Sequence, residues 1–198
     1  ESMYDNGFVF TRIGKGVMNQ TRSLRVDLNK FELSSENRRI LGKTEDLNLF
    51  VSTIPYDHYD WAIHKMGKDF YEKKFGPKTF SAQKIKELIT DRSKSNFNTL
   101  FVYFTRGQNI GYCIVLDTPQ ILHYCYPFYN LDFNYPNLGM GMMLRAIVWA
   151  QENNKKYIYL GSAQRPTDTY KMQFSGLEWF DGKNWRHDVD ALKKELTK

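Results

Sequence analysis

Cysteine is scarce in this chain: two residues in 198, Cys113 and Cys125. Two thiols build neither a disulfide framework nor a zinc cluster, so a cytosolic protein is expected. Proline is sparse as well, at six residues, and no Gly/Ser/Pro-rich linker divides the chain. No run approaches the roughly 20 apolar residues that a membrane-spanning helix needs. Mean hydropathy is −0.58, and no membrane partner is expected. No signal-peptide pattern opens the chain, and Glu1-Ser2 ahead of Met3 reads as an expression remnant. His58, His64, His123 and His187 lie scattered without metal-ligand spacing, so no metal is expected. No serine sits in a nucleophile-elbow context, which argues against covalent hydrolase chemistry.

What the chain does have is aromatic and basic. Aromatic residues reach 16% and apolar residues 41%, enough to offset the ordering entropy of one globular domain. Lys and Arg number 28 against 22 Asp and Glu, a net charge of +6. Such a balance fits a polyanionic partner: nucleic acid, a phosphate-bearing cofactor or a membrane surface.

The patterning predicts an N-terminal arm over residues 1–22, Gly-rich and irregular, and one domain over 23–198. Residues 23–28 alternate as a short strand. Ser34-Ser35-Glu36 supplies a hydroxyl cap and a first-turn acid for a short basic helix carrying Arg38, Arg39, Ile40 and Lys43. A strand is expected over 49–54, then a long helix from Pro55 to Gly76, then a second helix capped by Ser81. Three strand-like runs follow at 99–105, 110–116 and 120–126. The segment Pro136-Asn137-Leu138-Gly139-Met140-Gly141 leads into an amphipathic helix, and 157–161 is an apolar strand. A short helix near 169–174, a strand at 177–180 and a charged C-terminal helix complete the order. The expected class is α/β: a mixed, mostly antiparallel sheet with helices on both faces.

The strand–Gly-x-Gly–helix junction at Gly139 and Gly141 carries the first chemical signal. A helix N-terminus offers unpaired amides and a partial positive charge, and glycine admits an anion close to the backbone. The plain alternative is a tight turn. A third glycine is absent and Met142-Met143 follow, so this is no dinucleotide fingerprint.

Three antiparallel strands, Gly-x-Gly, an amphipathic helix and an apolar strand resemble, in that order, the GNAT acyltransferase fold. Its Arg/Gln-x-x-Gly-x-Gly/Ala loop is partly present, with Pro136 at the basic position. Further segments resemble the arginyl/leucyl-tRNA–protein transferase family. They are Arg25-Val26-Asp27-Leu28 with Phe31 through Ile40, Tyr129-Asn130-Leu131-Asp132 before Leu138-Gly139, Tyr157 through Gly161, and Tyr170-Lys171-Met172-Gln173-Phe174. The match spans about residues 22–180. That family carries an N-terminal Cys cluster, and this chain has no Cys before position 113. The family's Tyr-Asp-Pro-Asp stands here as Tyr-Asn-Leu-Asp, with Asn130 in place of a carboxylate.

The resemblance implies transfer of an amino acid from an aminoacyl-tRNA to an amine, a protein or peptide N-terminus, with no cofactor required. An aminoacyl ester is already activated. The protein must align it with the amine, accept a proton and steady the oxyanion. Candidates near the reacting carbonyl are Asp132, Asn130 and the tyrosines Tyr124, Tyr126 and Tyr129. Leu138, Gly139, Met140 and Gly141 would hold donor phosphate. Arg38, Arg39 and Lys43 would meet tRNA, and Lys171 a phosphate or carboxylate. The bland readings are core packing for the tyrosines, a turn cap for Asp132 and solvated faces for the cations. Two rival functions stay open: an N-acyltransferase with acyl-CoA as donor, and a non-catalytic module that binds RNA or a protein terminus.

Overall fold

The computed structural model describes residues 1–197. Its elements run α1 (Ser2–Asp5), β1 (Phe8–Phe10), β2 (Met18–Gln20), β3 (Ser23–Asp27), α2 (Ser35–Lys43), β4 (Asn48–Thr53), α3 (Trp61–Phe75), α4 (Ala82–Thr90), β5 (Thr99–Thr105), β6 (Gln108–Asp117), β7 (Ile121–Tyr129), α5 (Leu138–Glu152), β8 (Tyr157–Ser162), a 3-10 helix (Pro166–Gln173), β9 (Leu177–Phe180), β10 (Trp185–Arg186) and α6 (Val189–Leu196). The hydroxyl caps act as expected. The Asn37 amide donates to Ser34 Oγ at 3.1 Å, and the Lys84 amide to Ser81 Oγ at 3.1 Å. Pro55 does not open a helix. It lies in a turn, and α3 begins six residues later, where Asp60 accepts from the Ala62 amide at 2.6 Å. A carboxylate that satisfies a first-turn donor decides the boundary over proline's preset φ.

Eight strands form one sheet in the order β10-β9-β3-β8-β7-β6-β5-β4. Every neighbouring pair is antiparallel except β7 with β8, which α5 connects as a crossover. One face buries Phe101, Tyr103, Leu122 and Tyr124 under α2, α5 and α6. The other buries Leu100, Val102, Ile114 and Phe128 under α3 and α4. The expected mixed sheet with helices on both faces is what the chain forms.

Residues 1–22 do not stand apart from the sheet. Tyr4 and Val9 are buried with Ile121 and Tyr159, and Arg12 caps the Phe80 ring at 4.6 Å while donating to the Thr79 carbonyl at 2.7 Å. Tyr4 also reaches His123 in β7, with its hydroxyl 2.9 Å from Nδ1. His123 is 2% exposed, and burial pushes its pKa down to about 3. The unfolded chain, with an ordinary imidazole near 6.5, takes up a proton first as pH falls. This contribution to stability is therefore complete above pH 6.5 and drains away between 6.5 and 3, at about 1.4 kcal/mol per pH unit. Urea unfolding of the parent at pH 7 and pH 5 is expected to differ by about 2 kcal/mol more than in His123→Gln. Equal pH slopes for the two proteins would show that His123 is solvated.

Candidate active site

β7 and β8 pair over Ile121↔Tyr157, Leu122↔Ile158 and His123↔Tyr159. Beyond that, β7 stays with β6 as far as Gly111↔Tyr129, and β8 stays with β3 to Ser23↔Ser162. The sheet splits open between them. A bulge accompanies the split: Val115 faces Tyr124 and Ile114 faces Tyr126, leaving Cys125 as an extra residue. An extra residue bends its strand, raises the local twist and shifts side-chain alternation by one. Tyr124 accordingly packs on the α5 side, whereas Tyr126 and Phe128 pack on the α3–α4 side.

This corrects the placement of Tyr126. It is wedged edge-on against Phe80 and Phe97 at 5.3 and 5.5 Å, with Arg12 behind it, and burial drives its pKa far up. It belongs to the α3–α4 core and not to the α5 side. Tyr124 holds the corresponding position on the α5 side. It is 2% exposed, and its buried hydroxyl has no hydrogen-bond partner among the described residues.

α5 starts from Asn137 in the left-handed conformation, φ 60°. The first helical bond runs from the Gly141 amide to the Asn137 carbonyl at 2.8 Å, so the amides of Leu138, Gly139 and Met140 precede the helical ladder. Gly139 lies over Tyr129, where a Cβ would come within 3.1 Å of the hydroxyl. Gly141 serves a different purpose from the one expected. It is buried, its amide is spent inside the helix, and a Cβ there would meet the Thr44 side chain at 3.0 Å. It is glycine so that α5 can approach the end of α2, not so that an anion can approach α5.

Tyr129 ends β7 between two layers. Its ring packs on Phe70 of α3 at 4.7 Å, and burial raises its pKa. Asn130 turns the chain: its amide donates to Ile110, and its Oδ1 accepts from the Asp132 amide, both at 2.9 Å. The Asp132 carboxylate is 93% exposed, 3.9 Å from Lys73 of α3. These residues form one wall of a cleft of about 300 Å³, with Lys65, Asp69, Phe70 and Lys73 of α3 opposite.

On the other flank, α2 presents its basic face to solvent. Arg38 donates to the Leu33 carbonyl at 2.5 Å, Arg39 forks onto Glu36 at 2.6 and 2.5 Å, and Lys43 is exposed. The 3-10 helix returns to the α5 N-terminus, but through Gln173 and not Lys171. The Gln173 amide nitrogen lies 3.8 Å from Met140 Sδ, while its Oε1 accepts from buried Asn37 of α2 at 3.2 Å. Lys171 instead donates to the Ser162 carbonyl of β8 at 3.0 Å. Sequence reading passed over Gln173, because glutamine in a short polar helix carries no distinguishing pattern.

Leu138, Gly139, Met140 and Tyr129 thus gather around one end of the split sheet, with α2 joined to them through Asn37, Gln173 and Thr44. Asn130 and Asp132 stand at its α3 rim. A helix N-terminus, a nearby cationic face and an open sheet suit a phosphate-bearing carrier with an activated acyl group.

Comparison with known proteins agrees. Residues 53–181 match the family model described as arginine-tRNA-protein transferase, C terminus. An aspartate/glutamate leucyltransferase of Xanthomonas campestris is 25% identical over 169 residues, covering 82% of this chain and 67% of that protein. One of Saccharophagus degradans is 25% identical over 167 residues, covering 82% and 69%. Among solved structures, L-PGS from Bacillus licheniformis has a TM-score of 0.53 at 13% identity, covering 81% of this chain and 50% of that one. A GCN5-related glucosamine N-acetyltransferase region in a fungal multi-domain GH3 β-N-acetylglucosaminidase has a TM-score of 0.52 at 10% identity, covering 90% and 21%. These two structures share the fold. The chain spans about two-thirds of the length of the curated relatives and half of the L-PGS chain. With the family model covering most of the chain, from β4 to just beyond β9, the chain belongs to the arginine-tRNA-protein transferase C-terminal family.

Proposed function

We propose that this chain transfers an aminoacyl group from an aminoacyl-tRNA to the α-amine of a protein or peptide N-terminus. The family match over residues 53–181 carries the reading, and the open end of the sheet supports it. The donor's acceptor-end phosphates lie at the Leu138–Met140 amides, with the macrodipole of a 15-residue helix behind them. Arg38, Arg39 and Lys43 follow the RNA backbone away from the reacting end. The acceptor amine enters from the cleft between α3 and the Tyr129–Asp132 turn. The Asp132 carboxylate meets its positive charge there, and Asn130 holds the turn's shape. The ester needs no further activation and the reading requires no cofactor.

The test is incubation with radiolabelled leucyl- or arginyl-tRNA and peptides of varied N-terminal residue. Transfer in at least one combination is expected, and none in any would overturn the proposal. Salt dependence gives a second check. Arg38→Ala and Lys43→Ala should each weaken tRNA binding across sequences and flatten the log–log salt slope by about 1. Unchanged slopes would move the RNA track off α2. Pro136 at the loop's basic position weighs against acyl-CoA as donor, so acetyl-CoA should leave the melting temperature unchanged.

A further inference from the structure

Most lysines close to an acid in this chain form an ordinary surface pair. Lys65 meets Asp69, Lys68 meets Glu72, and Lys193 meets Asp190. Lys171 differs. Its ammonium donates to one neutral acceptor, the Ser162 carbonyl at 3.0 Å, and no carboxylate lies within ion-pair distance among the described residues. Its position is also singular. Gly161 turns β8 through a positive φ of 81° beyond its last pairing with β7, and a Cβ on Gly161 would lie 3.7 Å from Lys171 Nζ. The amine thus sits on bare backbone in the split of the sheet. Two residues on, Gln173 touches Met140 at the α5 N-terminus.

We propose that Lys171 is the proton acceptor of the transfer reaction, and so a catalytic residue rather than a phosphate ligand. This rests on the transferase reading. The acceptor ammonium first gives one proton to solvent, and the neutral Lys171 amine takes the second from the acceptor nitrogen as that nitrogen bonds to the ester carbonyl carbon. The tetrahedral intermediate then collapses, the bond from carbon to the ribose oxygen breaks, and Lys171 returns the proton to that oxygen. The products are an amide and a free ribose hydroxyl, and Lys171 ends as it began. The surroundings favour a neutral amine. Burial lowers the Lys171 pKa, and Arg165 lowers it further while Asp168 opposes. Tyr170 lies beside it, with its ring 5.6 Å from Nζ. Tyr170 is 47% exposed, and burial raises the pKa of its phenol and those of Tyr124 and Tyr129 of β7. From β8 the group meets only the Ser162 carbonyl and the Gly161 backbone.

The experiment compares the parent, Lys171→Arg, and Lys171→Cys alkylated to S-aminoethylcysteine, whose amine is the more acidic. Single-turnover transfer and donor binding are measured from pH 6 to 10. Lys171→Arg should keep donor affinity within about twofold and lose roughly 10²–10³-fold in rate, because arginine is not deprotonated in this range. The alkylated protein should recover much of the rate, with the acid limb moved to lower pH. A structural or phosphate-binding role predicts instead that arginine works and the limb stays in place; either result overturns the proposal. A lysine ¹³Cε titration of the parent should show one amine below the ordinary value, missing in Lys171→Arg, and an ordinary titration would overturn it independently of turnover. Absence of transfer by the parent would instead overturn the transferase reading itself.

Discussion

Arg25→Met is expected to cost about 3–5 kcal/mol of folding stability, the range for removing one partner from a buried ion pair. The Arg25 and Glu178 side chains are each 7% exposed, with Nε 2.7 Å from Oε2. The guanidinium lies between the Tyr157 and Trp185 rings at 3.8 Å from each and donates to the Tyr159 hydroxyl at 3.1 Å. Burial opposes its charge, but Tyr159 and Glu178 outweigh burial and leave its pKa raised. Methionine can fill the slot between the rings, so lost packing is minor. The cost comes from Glu178, whose remaining side-chain neighbour within ion-pair distance is the exposed His187 at 3.7 Å. The pair also ties β3 to β9 in register and draws in Asp5 of the N-terminal segment at 3.5 Å. Urea unfolding followed by circular dichroism measures the loss. Arg25→Met with Glu178→Leu should regain most of it, since a packed apolar pair roughly equals a buried ionic one. A single-variant loss below 1 kcal/mol would mean that water reaches Glu178.

The second large effect is expected at Arg145, on the half-buried side of α5. Its guanidinium meets no carboxylate within ion-pair distance among the described residues. It donates to the Leu47 carbonyl at 2.5 Å, Thr44 Oγ1 at 2.8 Å, the Gly141 carbonyl at 3.4 Å and the Thr44 carbonyl. These bonds bind the C-terminal end of α2 to the first turns of α5, beside the close approach at Gly141. Arg145→Met orphans the carbonyl of buried Leu47, while the Thr44 carbonyl keeps the Leu47 amide at 3.0 Å, so a loss of about 1–3 kcal/mol is expected. Arg145→Lys should rescue little, because one ammonium cannot span a fork of four acceptors. The basic face of α2 should also lose its fixed position, weakening tRNA binding about tenfold in a filter assay. A lysine variant as stable as the parent would show that charge alone suffices there.

Much of this architecture is written in local patterns. Ser34 and Ser81 announce their helices because a cap is a contact within three residues. The meander from Thr99 onward shows itself in alternation and turns, and the α5–β8 unit in its apolar content. Failures occur where the decision is made at a distance. Pro55 has the φ of a helix start, but Asp60 supplies the cap. The bulge at Cys125 leaves no composition mark, so the sequence cannot separate Tyr126, which packs on the α3–α4 side, from Tyr124, which packs on the α5 side. Gly141 and Gly139 look alike in sequence, and only their neighbours, Thr44 for the buried one and Tyr129 for the half-buried one, separate them. Asn130, read as a replaced carboxylate, spends its oxygen on the turn. The sequence suggests a phosphate or carboxylate for Lys171, but the acceptor it faces, the Ser162 carbonyl, is set by the path of β8.

The supernumerary residue at Cys125 has one more consequence. Tyr124 and Tyr126 take opposite sides of the sheet because they pair with adjacent β6 residues, Val115 and Ile114, and nothing in the chemistry of residue 125 enters. Exchanging Cys125 for alanine should therefore leave the opening between β7 and β8 intact. Deleting it would heal the bulge: Tyr124 would still face Val115 and Tyr126 would still face Ile114, so both rings would keep their sides and only the local bend would be lost. The phase of β6 decides which way each ring points, and the spare residue supplies curvature alone.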